Sequence, residues 1–129
     1  VSLSLVLNFV QESDKRGEML VRGVKCLAQN GILYITLPRS CIDNSRYTNY
    51  QGFLNKCQAL GLEKVDSYFS RKLVFFALEK IREIDEDGIA KFTKKKIVNQ
   101  GDKRNNFSIT FKTNLMQEIN LKHENWDSS

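Results

Sequence analysis

The sequence is poor in the residues that carry metal and thiol chemistry. Its three cysteines, Cys26, Cys41 and Cys57, are an odd number without CxxC spacing, and the single histidine, His123, leaves no Cys/His metal set. Reduced thiols of a cytosolic or nuclear protein are the reading that follows. A nucleophilic Cys41 would need a base nearby, and the only imidazole stands far away in the tail, which argues against a Cys/His hydrolase. No GxGxxG, no HExxH and no phosphate-loop string occurs. Long apolar runs are absent too: none reaches the roughly 18 residues of a membrane span. The opening VSLSLVLNFV has no basic segment before it and no small-residue cleavage site after it, so it reads as a buried strand rather than a secretion signal. The lone proline, Pro38, and the lack of repeats or low-complexity tracts argue against long structureless linkers.

What is present describes a small folded unit. Apolar residues are 41% and charged residues 27% of 129 positions, which excludes a disordered chain and allows a core. At roughly 100–200 residues per domain this is one domain at most. Because the chain starts at Val1 rather than Met, we expect it to be part of something longer. Lys and Arg number 20 against 15 Asp and Glu, a net charge of +5 that suits a partner with a phosphate backbone without requiring one.

The apolar run from Val1 to Val10 has the composition of a strand buried on both faces, as in a parallel sheet. After QESD, Met19, Leu20, Val24 and Leu27 recur at helical spacing until Asn30-Gly31. ILYITLP is a second strand ending at Pro38, and Tyr47–Leu60 is a second amphipathic helix stopped by Gly61. LEKVDSYFSRKLVFFALEKI then reads as an antiparallel hairpin turning at Ser70-Arg71. The order strand, helix, strand, helix, strand, strand predicts an open α/β sheet with right-handed crossovers. Acidic Glu83–Asp87 precedes a basic stretch holding Lys91, Lys94, Lys95, Lys96, Lys103 and Arg104. FSITFKTN is expected to add one more strand, and the polar tail from Gln117 to fray.

In such a sheet, ligands bind beyond the carboxyl ends of the strands. That selects Asn8 to Gln11 and Pro38 to Tyr47. An Asn beside a Phe can bond the edge of a purine and stack on its face; the plainer alternative, which spacing alone favours, is that Asn8 caps a turn while Phe9 fills the core. The donors packed into LPRSCIDNSRY suit phosphate or base contacts, or serve as an ordinary N-cap at Asp43, Asn44 or Ser45. In KFTKKKIVNQGDKRNNF, basic residues interleaved with Phe92 and Phe107 suit RNA, and the alternative is a solvated charged face.

Three strings taken together, SLSLVLNFV with KRGEML shortly after it, LPRSCIDNSRY, and KKKIVNQGDKRNNF, resemble the C-terminal half of the fungal nucleolar methyltransferases that modify N1 of an adenine in large-subunit (25S) ribosomal RNA. The resemblance implies a Rossmann-like class I methyltransferase sheet of which this chain supplies strands four to seven with flanking helices, the last strand antiparallel. Ser2–Val10 would be the fourth strand, Ile32–Leu37 the fifth and the segment around Lys64–Leu78 the sixth and seventh. Residues 1–112 would belong to that domain and 113–129 would be its tail. The implied cofactor is S-adenosyl-L-methionine, although the family's principal cofactor loops have no counterpart here, and only Ser4 carries over as a cofactor position. Asn8 and Phe9 carry over as catalytic residues, and Pro38, Asn44, Ser45, Arg46 and Tyr47 as the second wall of the target site. Lys94, Lys95, Lys96, Arg104, Asn105, Asn106 and Phe107 would hold the RNA.

Ribosomal RNA or a pre-ribosome, together with a missing N-terminal half, are the implied partners; no membrane or metal is expected, and the implied location is the nucleus and nucleolus. The chain by itself would be inactive. Two other readings stay open: a non-catalytic module on the same fold that senses S-adenosylmethionine or binds a protein, and a degenerate copy that binds no cofactor.

Overall fold

The computed structural model describes the backbone of residues 2–5, 7 and 10–127, with side chains at 7 and 10–121. Among these residues the chain runs β1 (Ser2–Leu5), α1 (Ser13–Lys25), β2 (Ile32–Pro38), α2 (Ser40–Asp43), α3 (Tyr50–Ala59), β3 (Leu62–Phe69), β4 (Leu73–Lys80), α4 (Glu86–Ala90) and α5 (Leu115–Asp127). The strands form one sheet in the order β1-β2-β4-β3. β1 and β2 are parallel, joined through α1, whereas β4 is antiparallel to both its neighbours. The hairpin expected about Ser70-Arg71 is therefore present, and β4 inserts between β2 and β3.

Alternation along the central strands determines which face is covered. Leu33, Ile35 and Leu37 of β2 and Val74, Phe76 and Leu78 of β4 are buried with Leu20, Val21 and Val24 of α1 and Phe53 and Cys57 of α3. The Phe53 and Phe76 rings meet at 4.7 Å between centroids, a tilted contact. Each such fully buried side chain stabilises the fold by about 1.5–3 kcal/mol. The opposite side of the sheet shows Tyr34 at 46% exposure and Tyr68 at 65%. The residues of β2 thus alternate between inside and outside, whereas the burial on both faces expected for the run from Val1 to Val10 concerns side chains that, Leu7 and Val10 apart, lie outside the described residues.

Three further expectations change. Helix α3 starts at Tyr50, because Asn49, rather than a residue of 43–45, accepts the Gly52 amide at 2.7 Å as N-cap. FSITFKTN is not a strand: Phe107 to Phe111 are all buried, and the segment crosses the start of α1 instead of joining the sheet, with Thr110 N donating to Ser13 O at 3.2 Å. The close approach needs Gly17, since a Cβ there would lie 2.0 Å from the Thr110 carbonyl oxygen. The tail is helical through Asp127, and Leu115 and Ile119 of α5 belong to the core.

Candidate nucleic-acid interface

Beyond the carboxyl ends of β1 and β2 lies a cleft of about 940 Å³, the volume of a substrate site. Its walls come from the two connections singled out by the sheet topology: Gln11 to Asp14 on one side, and Pro38, Ser40 and Cys41 on the other. Thr93, Lys95, Asn105, Asn106 and Phe107 close it. Asn8 and Phe9 fall outside the described residues, and so does the side chain of Ser4.

One buried cation ties the first wall to the closing segment. Arg16, on the inner face of α1 and 8% exposed, donates from Nε to Val10 O at 2.8 Å, from Nη1 to Ser108 O at 2.8 Å and from Nη2 to Gln11 O at 3.4 Å. Its guanidinium lies over the Phe107 ring, 4.5 Å from the centroid. Burial lowers the Arg16 pKa from its ordinary value, an effect the nearby Cys41 opposes. Cys41 is itself raised, chiefly by burial, and is a poor nucleophile in consequence. Arg16 is not among the residues that local sequence pattern singles out. The signal was available, because Arg16, Leu20 and Val24 are spaced four apart, which puts a cation on the apolar stripe of the helix.

The second wall and the closing segment form one hydrogen-bonded unit. Ser45 pairs with Asn105 in a parallel bridge, with Asn105 N donating to Asn44 O and Arg46 N to Asn105 O, each at 2.9 Å. Ser45 is wholly buried, and its hydroxyl donates to Phe107 O, which also accepts from Thr48 Oγ1 at 2.9 Å. The Asn105 amide reaches Ser40 O at 2.8 Å, and that of Asn44 reaches Lys103 O at 3.2 Å. Arg46 donates to Asn106 Oδ1 and to Gly101 O, and Arg104 to Asp43 O. The structure thus brings Pro38, Asn44, Ser45, Arg46, Arg104, Asn105, Asn106 and Phe107 together. It also buries Ser45 and Phe107, so these two brace the cleft from within: the Ser45 hydroxyl is occupied by a carbonyl and the Phe107 ring is covered by Arg16.

The lysines behave differently. Lys94, Lys95 and Lys96 are exposed, and among the described residues none of them forms an ion pair. Lys95 lines the cleft and sits over the Tyr47 ring at 5.4 Å, while Tyr47, Lys94 and Lys96 border a smaller neighbouring notch. Among the described residues no cluster of His, Cys, Asp and Glu could hold a metal, and no helix is long and apolar enough to cross a membrane.

This geometry can be set beside known proteins. The family model described as 25S rRNA (adenine(2142)-N(1))-methyltransferase, Bmt2, matches residues 1–109. The chain is similar to the 25S rRNA (adenine(2142)-N(1))-methyltransferase of Saccharomyces cerevisiae, 37% identical over 110 residues that cover 85% of this chain and 32% of the relative. It is similar also to the 25S rRNA adenine-N(1) methyltransferase of Schizosaccharomyces pombe, 34% identical over 123 residues covering 84% of this chain and 41% of that protein. The chain therefore spans well under half the length of either relative.

Proposed function

Because the chain belongs to the 25S rRNA (adenine(2142)-N(1))-methyltransferase family, we propose that it supplies the target-facing side of an enzyme that methylates N1 of an adenine in large-subunit ribosomal RNA, working in the nucleolus on RNA or a pre-ribosome. The cleft beyond β1 and β2 carries this reading, since it lies where an open α/β sheet binds its ligand. The strand order supports a Rossmann-like class I methyltransferase sheet: β1 and β2 stand as strands four and five, and the last strand, β4, runs antiparallel between β2 and β3.

The methyl donor for such a reaction is S-adenosyl-L-methionine. The residues of this chain do not fit its methionine and ribose moieties, because neither 6–12, between β1 and α1, nor 39–49, between β2 and α3, contains a glycine that would let the backbone approach them. We assign their binding to sequence outside this chain, with Ser4 as the one position that this chain would add. The chain alone is expected to be inactive.

This chain's own task is to hold the base. Adenine N1 has a free lone pair, so the attacking atom needs alignment and removal of water more than a strong general base. We assign Asn8 to the adenine edge and Phe9 to its face, with the base turned out of its stack into the cleft. Arg16, by fixing Val10 O and Gln11 O, sets the direction in which that connection leaves the sheet. Lys94, Lys95 and Lys96 would attract the flanking strand. The test is Asn8→Ala in the complete protein, assayed for methyl transfer to ribosomal RNA: a fall of at least about 100-fold in rate, two transition-state decades, is expected, and undiminished transfer would overturn the assignment.

A further inference from the structure

Beside the large cleft, whose lining includes Lys95, is a notch of about 110 Å³ whose lining includes Lys94 and Lys96. Lys56, Lys91, Lys94 and Lys96 border it over Phe92, and among the described residues no carboxylate does. Among the described residues none of these four lysines belongs to an ion pair. Bringing like charges together is unfavourable unless an anion joins them. Two polar groups of the lining are engaged within the protein, Thr48 Oγ1 with Phe107 O and the Gly52 amide with Asn49 Oδ1.

Lys56 makes this more than a charged surface. It rises from α3, donates to Ile109 O, and holds its ammonium 5.7 Å from the centre of the Phe92 ring. Burial pulls its pKa down to about 8. An ammonium has three hydrogens, so two remain to donate after the bond to Ile109. A partly desolvated cation with donors to spare, ringed by exposed lysines, matches a compact polyoxygen anion. The volume admits a phosphate group and is too small for a nucleoside. Lys95, between Lys94 and Lys96 in sequence, lines the cleft and lies over Tyr47, which borders the notch.

We infer that the Lys56 notch binds a backbone phosphate of single-stranded RNA, beside the cleft that takes the base. This rests on the functional reading above and adds to it a second anchoring point, made by Lys56 and Lys91 together with Lys94 and Lys96. Engagement in both places would fix the strand's position along the 94–96 segment. The same chemistry would admit free phosphate, and the experiment separates the two sources.

The experiment titrates the full chain with single-stranded RNA of about 12 nucleotides over a range of salt, with inorganic phosphate as competitor. For Lys56→Met, and separately for the double variant Lys94→Gln, Lys96→Gln, affinity is expected to fall about fivefold or more, and the slope of log K against log salt to become shallower by about 0.7 for each phosphate that the protein no longer neutralises. Lys56→Arg is expected to retain both. Wild-type affinity and slope in a folded Lys56→Met would overturn the proposal. If that variant does not fold, an unchanged slope in the double variant, whose lysines are exposed, decides equally against it. Competition by inorganic phosphate as effective, phosphate for phosphate, as that of unlabelled RNA would also overturn it, because the notch would then serve a free anion. A shallower slope in the variants of a protein whose complete form methylates no adenine would sink the functional reading and leave the notch standing. Intact methylation with an unaltered slope would do the reverse.

Discussion

The 43–48 and 103–107 strings and the 91–96 string are both dense in polar side chains, yet the fold uses them in opposite ways. In the first pair, Ser45, Thr48, Arg46, Asn44 and Asn105 direct their donors onto carbonyls and side chains of the same unit, and Arg16 joins it from α1. In the second, the lysines carry no ion pairs among the described residues and face the cleft and its neighbouring notch. The difference separates two kinds of candidate residue that look alike as a list of donors. Donors matched to carbonyls and side chains within the protein shape a site; exposed cations without counter-charges are available to a ligand.

Substitutions in the first region and in the α1 residues packed against the 107–111 segment act on stability, and those in the second region on binding. The largest effect is expected from Gly17→Ala, whose methyl group would meet the Thr110 carbonyl; a loss of about 3 kcal/mol in urea unfolding is expected. Next, Arg16→Met removes the charged donor from Val10 O and Ser108 O, and should lower stability by about 2–3 kcal/mol in the same assay. Ser45→Ala leaves Phe107 O with the Thr48 bond alone, for an expected loss of about 1 kcal/mol. By contrast, Lys94→Gln with Lys96→Gln should shift unfolding by no more than about 0.5 kcal/mol. A large destabilisation by that pair would break the contrast, since it would make the lysines part of the scaffold.

The smallest effect concerns pH. Lys56 has its pKa lowered to about 8 by burial, while the unfolded chain holds the proton up to the ordinary value of 10.5. Above about pH 8 the unfolded state therefore binds more protons, and stability rises with pH. Cys57 acts in the other direction: burial pushes its thiol up to about 12, so above its ordinary value of 9.0 the unfolded state loses the proton first and stability falls. A slight rise in the urea midpoint between pH 8 and pH 9 is the expected result, and it should vanish in Lys56→Met.

Much of the fold can be read from local pattern. ILYITLP carries its own strand alternation and stop, and LEKVDSYF and KLVFFALEK carry the hairpin. FSITFKTN misleads because its alternation is genuine while its partners are not strands: it lies on α1, where Gly17 permits contact. Burial of Phe107 and Ser45 depends on that long-range packing, which no local spacing reports. For the site, the two connections beyond β1 and β2 follow from topology, and the cleft lies between them. The supporting roles of Arg16 and Lys56 are harder to see, because a helix pattern treats a cation near its apolar stripe as noise until the fold shows which carbonyls it reaches.

The role we propose for this chain is the adenine-facing side of a ribosomal RNA methyltransferase. Its most direct test is nucleoside mass spectrometry of large-subunit ribosomal RNA from the source organism, with and without the gene that encodes this chain. Loss of one N1-methyladenosine on deletion is the result expected; an unchanged N1-methyladenosine content would contradict the account.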